Sequence, residues 1–169
     1  MAEFGRYWLR WPSMEVFMAN SWAWPTNETF HFIGLCLLIG IVGMYDLRVL
    51  GLGKGLPLSS LKRLLPWGVF GFVLCLITGV LFVGGLGANL YGDNAYDVIM
   101  RDLWLQLKLL FMFLAGLNLL AFYLTGTART VDALGPRDEA PPLAKAIAGV
   151  SLFCWIAVIV FGRLIPDGL

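Results

Sequence analysis

The sequence contains few charged residues for its length. Of its 169 residues, only 14% are Asp, Glu, Lys or Arg, whereas 59% are hydrophobic. Soluble domains are on average about half apolar and about a quarter charged. A water-soluble fold of this size has too little interior for so much apolar surface, so the composition predicts a protein whose surface meets lipid.

The sequence also lacks a cluster of basic residues. The formal net charge is +1, and no run of Lys and Arg occurs. Nucleic-acid-binding proteins concentrate such residues on one face or along one helix. Nucleic acid is therefore not an expected partner.

Cysteine is scarce and unpaired in its spacing. The three cysteines, Cys36, Cys75 and Cys154, sit singly inside apolar runs, and no C-x-x-C motif is present. An odd number without metal-ligand spacing argues against a disulfide framework or a zinc site. We therefore predict three free, buried thiols.

Common enzyme signatures are missing as well. The sequence contains no H-E-x-x-H, no G-x-S-x-G, no Walker loop and no nucleotide-binding glycine fingerprint. It has one histidine, which leaves few groups for acid–base chemistry. These absences favour a protein that is not an enzyme.

Long apolar stretches dominate what remains. A membrane helix needs about 20 mostly apolar residues, because each residue rises ~1.5 Å across a core of ~30 Å. Four stretches qualify, at about 28–50, 65–90, 103–125 and 145–162. Lipid offers no partner to an open backbone, so the spans are expected to be helices. The fold class predicted for residues 25–169 is all-α, a four-helix transmembrane bundle.

Local signals suggest where the helices begin. Asn27 or Thr26, just after Pro25, is a candidate N-cap of the first helix. Pro66 is expected in the first turn of the second helix, where its missing N–H costs little. The segment 126–142 is rich in Gly, Pro, Asp and Thr, and predicts a solvent loop.

The distribution of Lys and Arg predicts the orientation. Two loops and their flanks carry most of the basic residues: Arg48, Lys54, Lys62, Arg63, Arg129, Arg137 and Lys145. The opposite side carries Arg6, Arg10, Arg101 and Arg163. By the positive-inside rule, both basic loops lie inside. We expect a multi-pass protein with both termini outside.

The first 24 residues form a separate segment. Phe4, Tyr7, Trp8 and Trp11 recur at helical spacing, with Arg6 and Arg10 elsewhere around the helix. This pattern is typical of an amphipathic helix lying on the outer membrane surface. A tail that binds a partner protein is the alternative.

His31 and Glu28 are the first candidates for a site. They are three residues apart in the first span, so both side chains lie on one helix face near the outer end. The pair suits a metal, or a carboxylate that orients an imidazole ligand. A haem or copper cofactor would be held through His31. A hydrogen-bonded interfacial histidine and a proton or quinone role are the alternatives.

Lys108 lies within the third span, on the outer half. Its four-carbon stem can reach the interface by snorkelling. Otherwise it needs a carboxylate partner, and Glu28, Asp97 and Asp102 are nearest in depth. The hypothesis is an outer polar cluster of Glu28, His31 and Lys108 that takes part in cofactor binding.

Three further polar residues lie within spans, and such residues are functional candidates by default. Asp46 and Arg48 are at the inner end of the first span, and Asn118 is in the middle of the third. Fifteen residues separate His31 from Asp46, which at about 100° per residue returns to within about 60° of one face. One polar stripe is therefore expected to face the bundle, unless Asp46 and Arg48 are a solvated helix end. Asn118 is expected to bond another helix.

Several segments together resemble a family of small bacterial four-helix inner-membrane proteins of unknown function, over roughly residues 21–165. They are Ser21-Trp22, Trp24-Pro25, Glu28-x-x-His31-x-x-Gly34, Asp46-Leu47-Arg48-Val49-Leu50-Gly51, Lys108-Leu109-Leu110 and Ala115-Gly116-Leu117-Asn118. The architecture is also similar to the membrane domain of copper-resistance D-type proteins and, more loosely, to four-helix b-type cytochromes. The first resemblance implies the fold and a bacterial inner membrane, in which both termini would lie in the periplasm. The looser ones imply metal or haem. The chain lacks the paired histidines of the cytochromes.

The functional hypothesis is a membrane-bound binding module or subunit that handles a metal, haem or electrons at the outer face through His31. A structural or assembly subunit of a larger membrane complex is one alternative. A small oligomeric transporter with a polar path of Asp46, Arg48, Asn118 and Lys108 is another. Besides lipid, the expected partners are further copies of the chain or other membrane subunits.

Overall fold

The computed structural model describes residues 16–86, 95–135 and 137–165. Within these ranges the chain is helical and forms no strand. The helices are α1 (Ala23–Val49), α2 (Leu58–Leu86), α3 (Ala95–Arg101), α4 (Leu103–Leu124), α5 (Thr127–Asp132) and α6 (Pro142–Leu164).

The four long helices α1, α2, α4 and α6 are each long and apolar enough to cross a membrane. The shortest, α4, has 22 residues and is therefore about 33 Å long, slightly more than the hydrocarbon core. The predicted all-α four-helix bundle is confirmed, and the chain is a multi-pass membrane protein. The predicted interfacial helix, with Phe4, Tyr7, Trp8 and Trp11, lies almost entirely outside the described residues.

Two glycines bring α1 and α2 into backbone contact. A Cβ atom built on Gly71 of α2 would lie 2.6 Å from the carbonyl oxygen of Gly34 and 2.9 Å from the amide nitrogen of Leu38. A Cβ built on Gly34 would lie 2.8 Å from the Gly71 oxygen. Close approach through small residues is how membrane helices gain packing energy, because lipid is as apolar as the helices themselves.

Helix α6 joins this pair to α4. Its buried face is a row of mostly small residues, Ala144, Ala148, Cys154, Ala157 and Val158. Aromatic rings hold α4 to α6, and the Phe111 and Phe161 rings stack with centroids 5.5 Å apart. α1 also packs against α6, so α1 and α6 form the centre of the bundle.

The end of the bundle that carries the two basic loops is here called the inner end, after the predicted orientation. It has its own apolar cluster, which includes residues that precede the predicted second span or lie in the predicted solvent loop. Leu58 and Leu61 of α2 and Val131 of α5 are buried in it with Tyr45 and Val49. The burial of Leu58 and Leu61 explains why α2 begins at Leu58. Pro66 therefore lies inside the helix rather than in its first turn, and that prediction is wrong.

Two other local predictions are corrected at helix ends. α1 begins at Ala23, so neither Thr26 nor Asn27 is its N-cap, and Asn27 is buried within the helix. The segment 126–142 is not simply a solvent loop, because Thr127–Asp132 is helical and its Ala128 and Val131 are buried. Asn27 and Val131 are both buried by contacts with other helices, which the local sequence does not show.

The cysteines are free, as predicted, but they are not all buried. Cys75 and Cys154 are buried, whereas Cys36 is exposed on α1. Because α1 carries exposed Phe32 and Ile33 nearby, its exposed face is apolar and suits contact with lipid. The apolar residues around Cys36 in the sequence therefore reflect a helix face that contacts lipid, not a thiol that is buried inside the protein.

Ion pairs connect the two basic loops at the inner end. The Lys54 ammonium lies 2.6 Å from Oε1 of the Glu139 carboxylate. The Lys145 ammonium lies 3.3 Å from Oε2 of the same carboxylate. Lys62 of α2 pairs with Asp132 at 2.5 Å. The loops that precede α2 and α6 thus lie at one end of the bundle, as the prediction of two loops on the same side requires.

Removing this exposed carboxylate is expected to have a small, pH-dependent effect. Lys54 and Lys145 lower the pKa of Glu139 below its ordinary value of 4.5. The stabilising contribution is therefore present above pH 4.5 and is lost as the pH falls through the lowered pKa. The melting temperature of Glu139→Gln should lie slightly below that of the wild type at pH 7, and the two should converge under acid conditions. An equal difference at both pH values would contradict this role.

Candidate functional site

The residues around His31 form the candidate site, here called the outer histidine site. It comprises Trp24, Asn27 and His31 of α1 with Thr78 and Phe82 of α2. The Nδ1 atom of His31 lies 2.7 Å from the Thr78 hydroxyl oxygen, and Asn27 donates a hydrogen bond to the Thr78 carbonyl at 3.0 Å. Asn27, His31 and Gly34 follow one another at helical spacing, so they share the α1 face that packs on α2.

The Thr78 hydroxyl oxygen lies within hydrogen-bonding distance of two partners. They are His31 Nδ1 and the carbonyl oxygen of Leu74, each at 2.7 Å. When the hydroxyl donates its single proton to Leu74, it accepts from His31 Nδ1–H; when it donates to Nδ1, the neutral imidazole carries its proton on Nε2. The first arrangement leaves a lone pair on Nε2, for which no hydrogen-bond partner is found in the described ranges.

Aromatic rings flank the imidazole. The edge of Phe82 meets the His31 ring at a centroid distance of 5.5 Å, and Trp24 packs against the same phenyl ring at 4.9 Å. His31 itself is half-buried. Thr78 and Phe82 thus hold the imidazole on two sides while part of the ring stays accessible.

Glu28 and Lys108 do not complete the predicted cluster by direct contact. Glu28 is exposed, and the ion pairs recorded for the described residues do not include one with Lys108. The Lys108 side chain instead crosses α6 at Gly162, where a Cβ atom would lie 3.3 Å from the ammonium nitrogen. Lys108 is still within electrostatic range of His31.

The direction of Lys108 matches snorkelling. It lies five residues into α4, whereas Gly162 is two residues from the end of α6. α4 begins and α6 ends near these positions, so the stem directs the ammonium towards that end of the bundle. Asp102, one of the predicted partners of Lys108, is instead the N-cap of α4. Its Oδ1 accepts a hydrogen bond from the Leu105 amide at 2.9 Å.

The donor set fits some cofactors better than others. In the described part of the chain, no group of three or more His, Cys, Asp or Glu residues could hold a metal ion. A closed zinc site needs four ligands, and copper sites also combine several side chains. A haem iron needs only one imidazole on its proximal side, and the second shell of such a ligand is typically a hydrogen-bond acceptor for the other ring nitrogen.

The inner polar residues Asp46 and Arg48 are buried rather than solvated. Their exposed fractions are 7% and 1%. The Arg48 Nε donates to the carbonyl oxygen of Leu56 at 2.9 Å, which fastens the α1–α2 loop, and Asp46 lies within hydrogen-bonding reach of the Ser151 hydroxyl on α6. The alternative of a solvated helix end is therefore wrong.

The polar residues of the spans contact different neighbours. Asn118 donates to the Ile147 carbonyl of α6 at 3.0 Å, which confirms the prediction that it bonds another helix. His31 faces α2, whereas Asp46 faces α6. The two therefore point into the bundle without forming one continuous stripe.

Sequence reasoning overlooked the two hydroxyl residues that contact these side chains. Thr78 is the only Ser or Thr between Leu64 and Leu86, and Ser151 is the only one between Lys145 and Leu164. A lone hydroxyl in an apolar span is a weak signal, because it can bond the carbonyl of its own preceding turn. Only the pairing of helices reveals the partners.

The similarity of this chain to known proteins was tested in three ways. No protein-family model, curated protein or solved structure matches it. The resemblance to small bacterial four-helix inner-membrane proteins therefore stays a prediction that rests on the segments quoted above.

Proposed function

We propose that the protein is a membrane-embedded binding subunit that holds haem b through the Nε2 atom of His31. The observation that carries the proposal is the 2.7 Å contact between the Thr78 hydroxyl and His31 Nδ1; with the hydroxyl proton donated to Leu74, this contact holds Nδ1–H and leaves Nε2 as the donor atom. Metal-ligating histidines are held in this manner by a polar second-shell partner. The role is binding or electron transfer rather than catalysis by side chains.

The surroundings of the imidazole support haem over a closed copper or zinc site. Phe82 and Trp24 offer apolar contacts to a flat macrocycle. The lack of a three-residue metal cluster in the described ranges argues against a metal bound by protein side chains of one chain alone. The second axial position would be open or filled from a second chain, because this chain has one histidine.

The test is the absorbance spectrum and metal content of the detergent-purified protein, with and without added hemin. We expect a Soret band with one haem per His31 ligand, or per pair of chains, and no such band in His31→Ala. Glu28→Gln is the control, since Glu28 is exposed and should not affect binding. Protein that takes up no hemin, or takes it up equally after His31→Ala, would exclude the proposal.

A structural or assembly subunit is the second candidate. Of the four long helices, α4 is the least buried in the bundle. Its exposed side chains include Phe113, Leu117 and Leu120, which suit either lipid or helices of further subunits. This function predicts that other membrane proteins co-purify with the chain and remain bound after His31→Ala.

We also propose that the inner end, with its paired basic loops, faces the cytoplasm of a bacterial inner membrane and that the outer histidine site faces the periplasm. The excess of Lys and Arg in these loops supports this orientation. In a background without native cysteines, Lys54→Cys and Arg137→Cys should react with a membrane-impermeant thiol reagent only after the cells are opened. Reaction of both in intact cells would reverse the orientation, and the outer site with it.

A further inference from the structure

Asp46 has an incomplete set of contacts for a buried carboxyl group. It is 7% exposed, and Ser151 of α6 is the polar side chain beside it: one turn earlier on α1, a Cβ atom built on Gly43 would lie 3.8 Å from Leu152, the neighbour of Ser151. Its Oδ2 atom is buried and has no hydrogen-bond partner. Buried polar atoms are nearly always paired, so an unpaired carboxylate oxygen requires an explanation.

The nearby basic residue does not compensate this carboxyl group. Arg48 is two positions further along α1, and residues at that spacing point away from each other. Its Nε is bonded to the Leu56 carbonyl, and its Nη2 also lacks a partner. The charge of Asp46 therefore has to be balanced by something other than Arg48.

Asp46 lies near the inner end of α1, three residues before Val49, its last helical position. Gly68 of α2 lies beside Ile41 and Val42 of the antiparallel α1. Asp46 is about one turn nearer the inner end than this contact. Its level along the bundle is therefore close to that of the charged Lys62 and Arg63 on α2. The carboxyl group is thus buried in protein at the edge of the apolar core rather than at its centre.

We propose that Asp46 and Ser151 form a binding site for a small monovalent cation, either a proton or an alkali-metal ion, at the inner end of the α1–α6 interface. Either cation neutralises the carboxylate and uses the bare Oδ2. The Ser151 hydroxyl supplies a further oxygen to an alkali-metal ion or a hydrogen-bond partner to a carboxylic acid. An ionised carboxylate without any such partner would be costly at this depth.

Other titratable groups around the site are already engaged. Tyr45, which precedes Asp46 on α1, interacts electrostatically with Asp46 and with Asp132 of α5. Asp132 is itself paired with Lys62 of α2. On α6 the neighbouring side chain is the uncharged Ser151, and Lys145, the basic residue at the same end of that helix, is paired with Glu139.

The experiment is infrared difference spectroscopy of the full chain in lipid, during exchange of the perfusing buffer. One arm changes the pH at constant choline chloride, and the other replaces choline by sodium or potassium at constant pH. We expect one carboxylic-acid C=O band, absent in Asp46→Asn, to be lost in at least one arm. Loss only with pH identifies a proton site, and loss with sodium or potassium identifies an alkali-metal site.

Two further samples assign the band to Asp46 even if Asp46→Asn fails to fold. Isotopic labelling of aspartate shifts the band without any substitution, and Ser151→Ala should change its frequency because a hydrogen-bonding group is lost. The absence of any aspartate-dependent change in both arms, or a band that ignores Ser151→Ala, would overturn the proposal. The outcome does not depend on haem binding at His31.

Discussion

Substitution of Gly71 by alanine is expected to destabilise the bundle by about 3 kcal/mol, the upper part of the range for overpacking. The added methyl group would meet the carbonyl oxygen of Gly34 at 2.6 Å and the Cβ of Leu37 at 2.8 Å. The first of these atoms belongs to the backbone of α1, so a change of side-chain rotamer cannot relieve the clash. The two helices would have to separate along the contact that places His31 beside Thr78.

The matched control lies on the same helix. A Cβ atom built on Gly79 meets nothing within 4 Å. Gly79→Ala should therefore leave stability unchanged or raise it by up to about 1 kcal/mol through its better helix propensity. Unfolding in a mixed-detergent titration, followed by circular dichroism, measures both variants. Equal stability of Gly71→Ala and Gly79→Ala would show that α1 and α2 do not cross at Gly34 and Gly71.

The second large effect is expected at Thr78. Thr78→Val keeps the shape of the side chain but removes the oxygen that lies 2.7 Å from His31 Nδ1. Loss of a second-shell partner typically weakens a metal site roughly 10- to 100-fold. We expect a decrease of this size in the affinity for hemin, measured by titration of the absorbance spectrum.

Thr78→Ser tests whether the hydroxyl is responsible. It retains the oxygen that lies between His31 and the Leu74 carbonyl, so binding should remain close to that of the wild type. If Thr78→Val and Thr78→Ser bind hemin equally well, Thr78 does not orient the imidazole. A comparison of their melting temperatures separates this effect from a general loss of packing.

The sequence was sufficient for the long helices because the signal for a membrane span is large and local. About 20 consecutive apolar residues predict a helix whatever surrounds them. The predicted start of α2 is too late because Leu58 and Leu61 are buried in a cluster that includes residues of α5 and α6, which are distant in the sequence. The same tertiary contacts order the short helix Thr127–Asp132.

The candidate site was only half predictable for a related reason. His31 is conspicuous as the only histidine, and Glu28 is its obvious local companion. The actual partner, Thr78, comes from another helix 47 positions away. The Gly34–Gly71 contact likewise uses one glycine from each of two helices, so a search for a glycine motif within one span could not find it.

The protonation state of His31 tests the central claim most directly. Since the chain has one histidine, nitrogen NMR of histidine-labelled, haem-free protein reports a single imidazole. At a pH where the ring is neutral, we expect the proton on Nδ1 and a lone pair on Nε2, with this preference lost in Thr78→Val. A ring protonated on Nε2 in the wild type would leave the lone pair on Nδ1, where it faces the Thr78 hydroxyl rather than a cofactor, and would contradict the account.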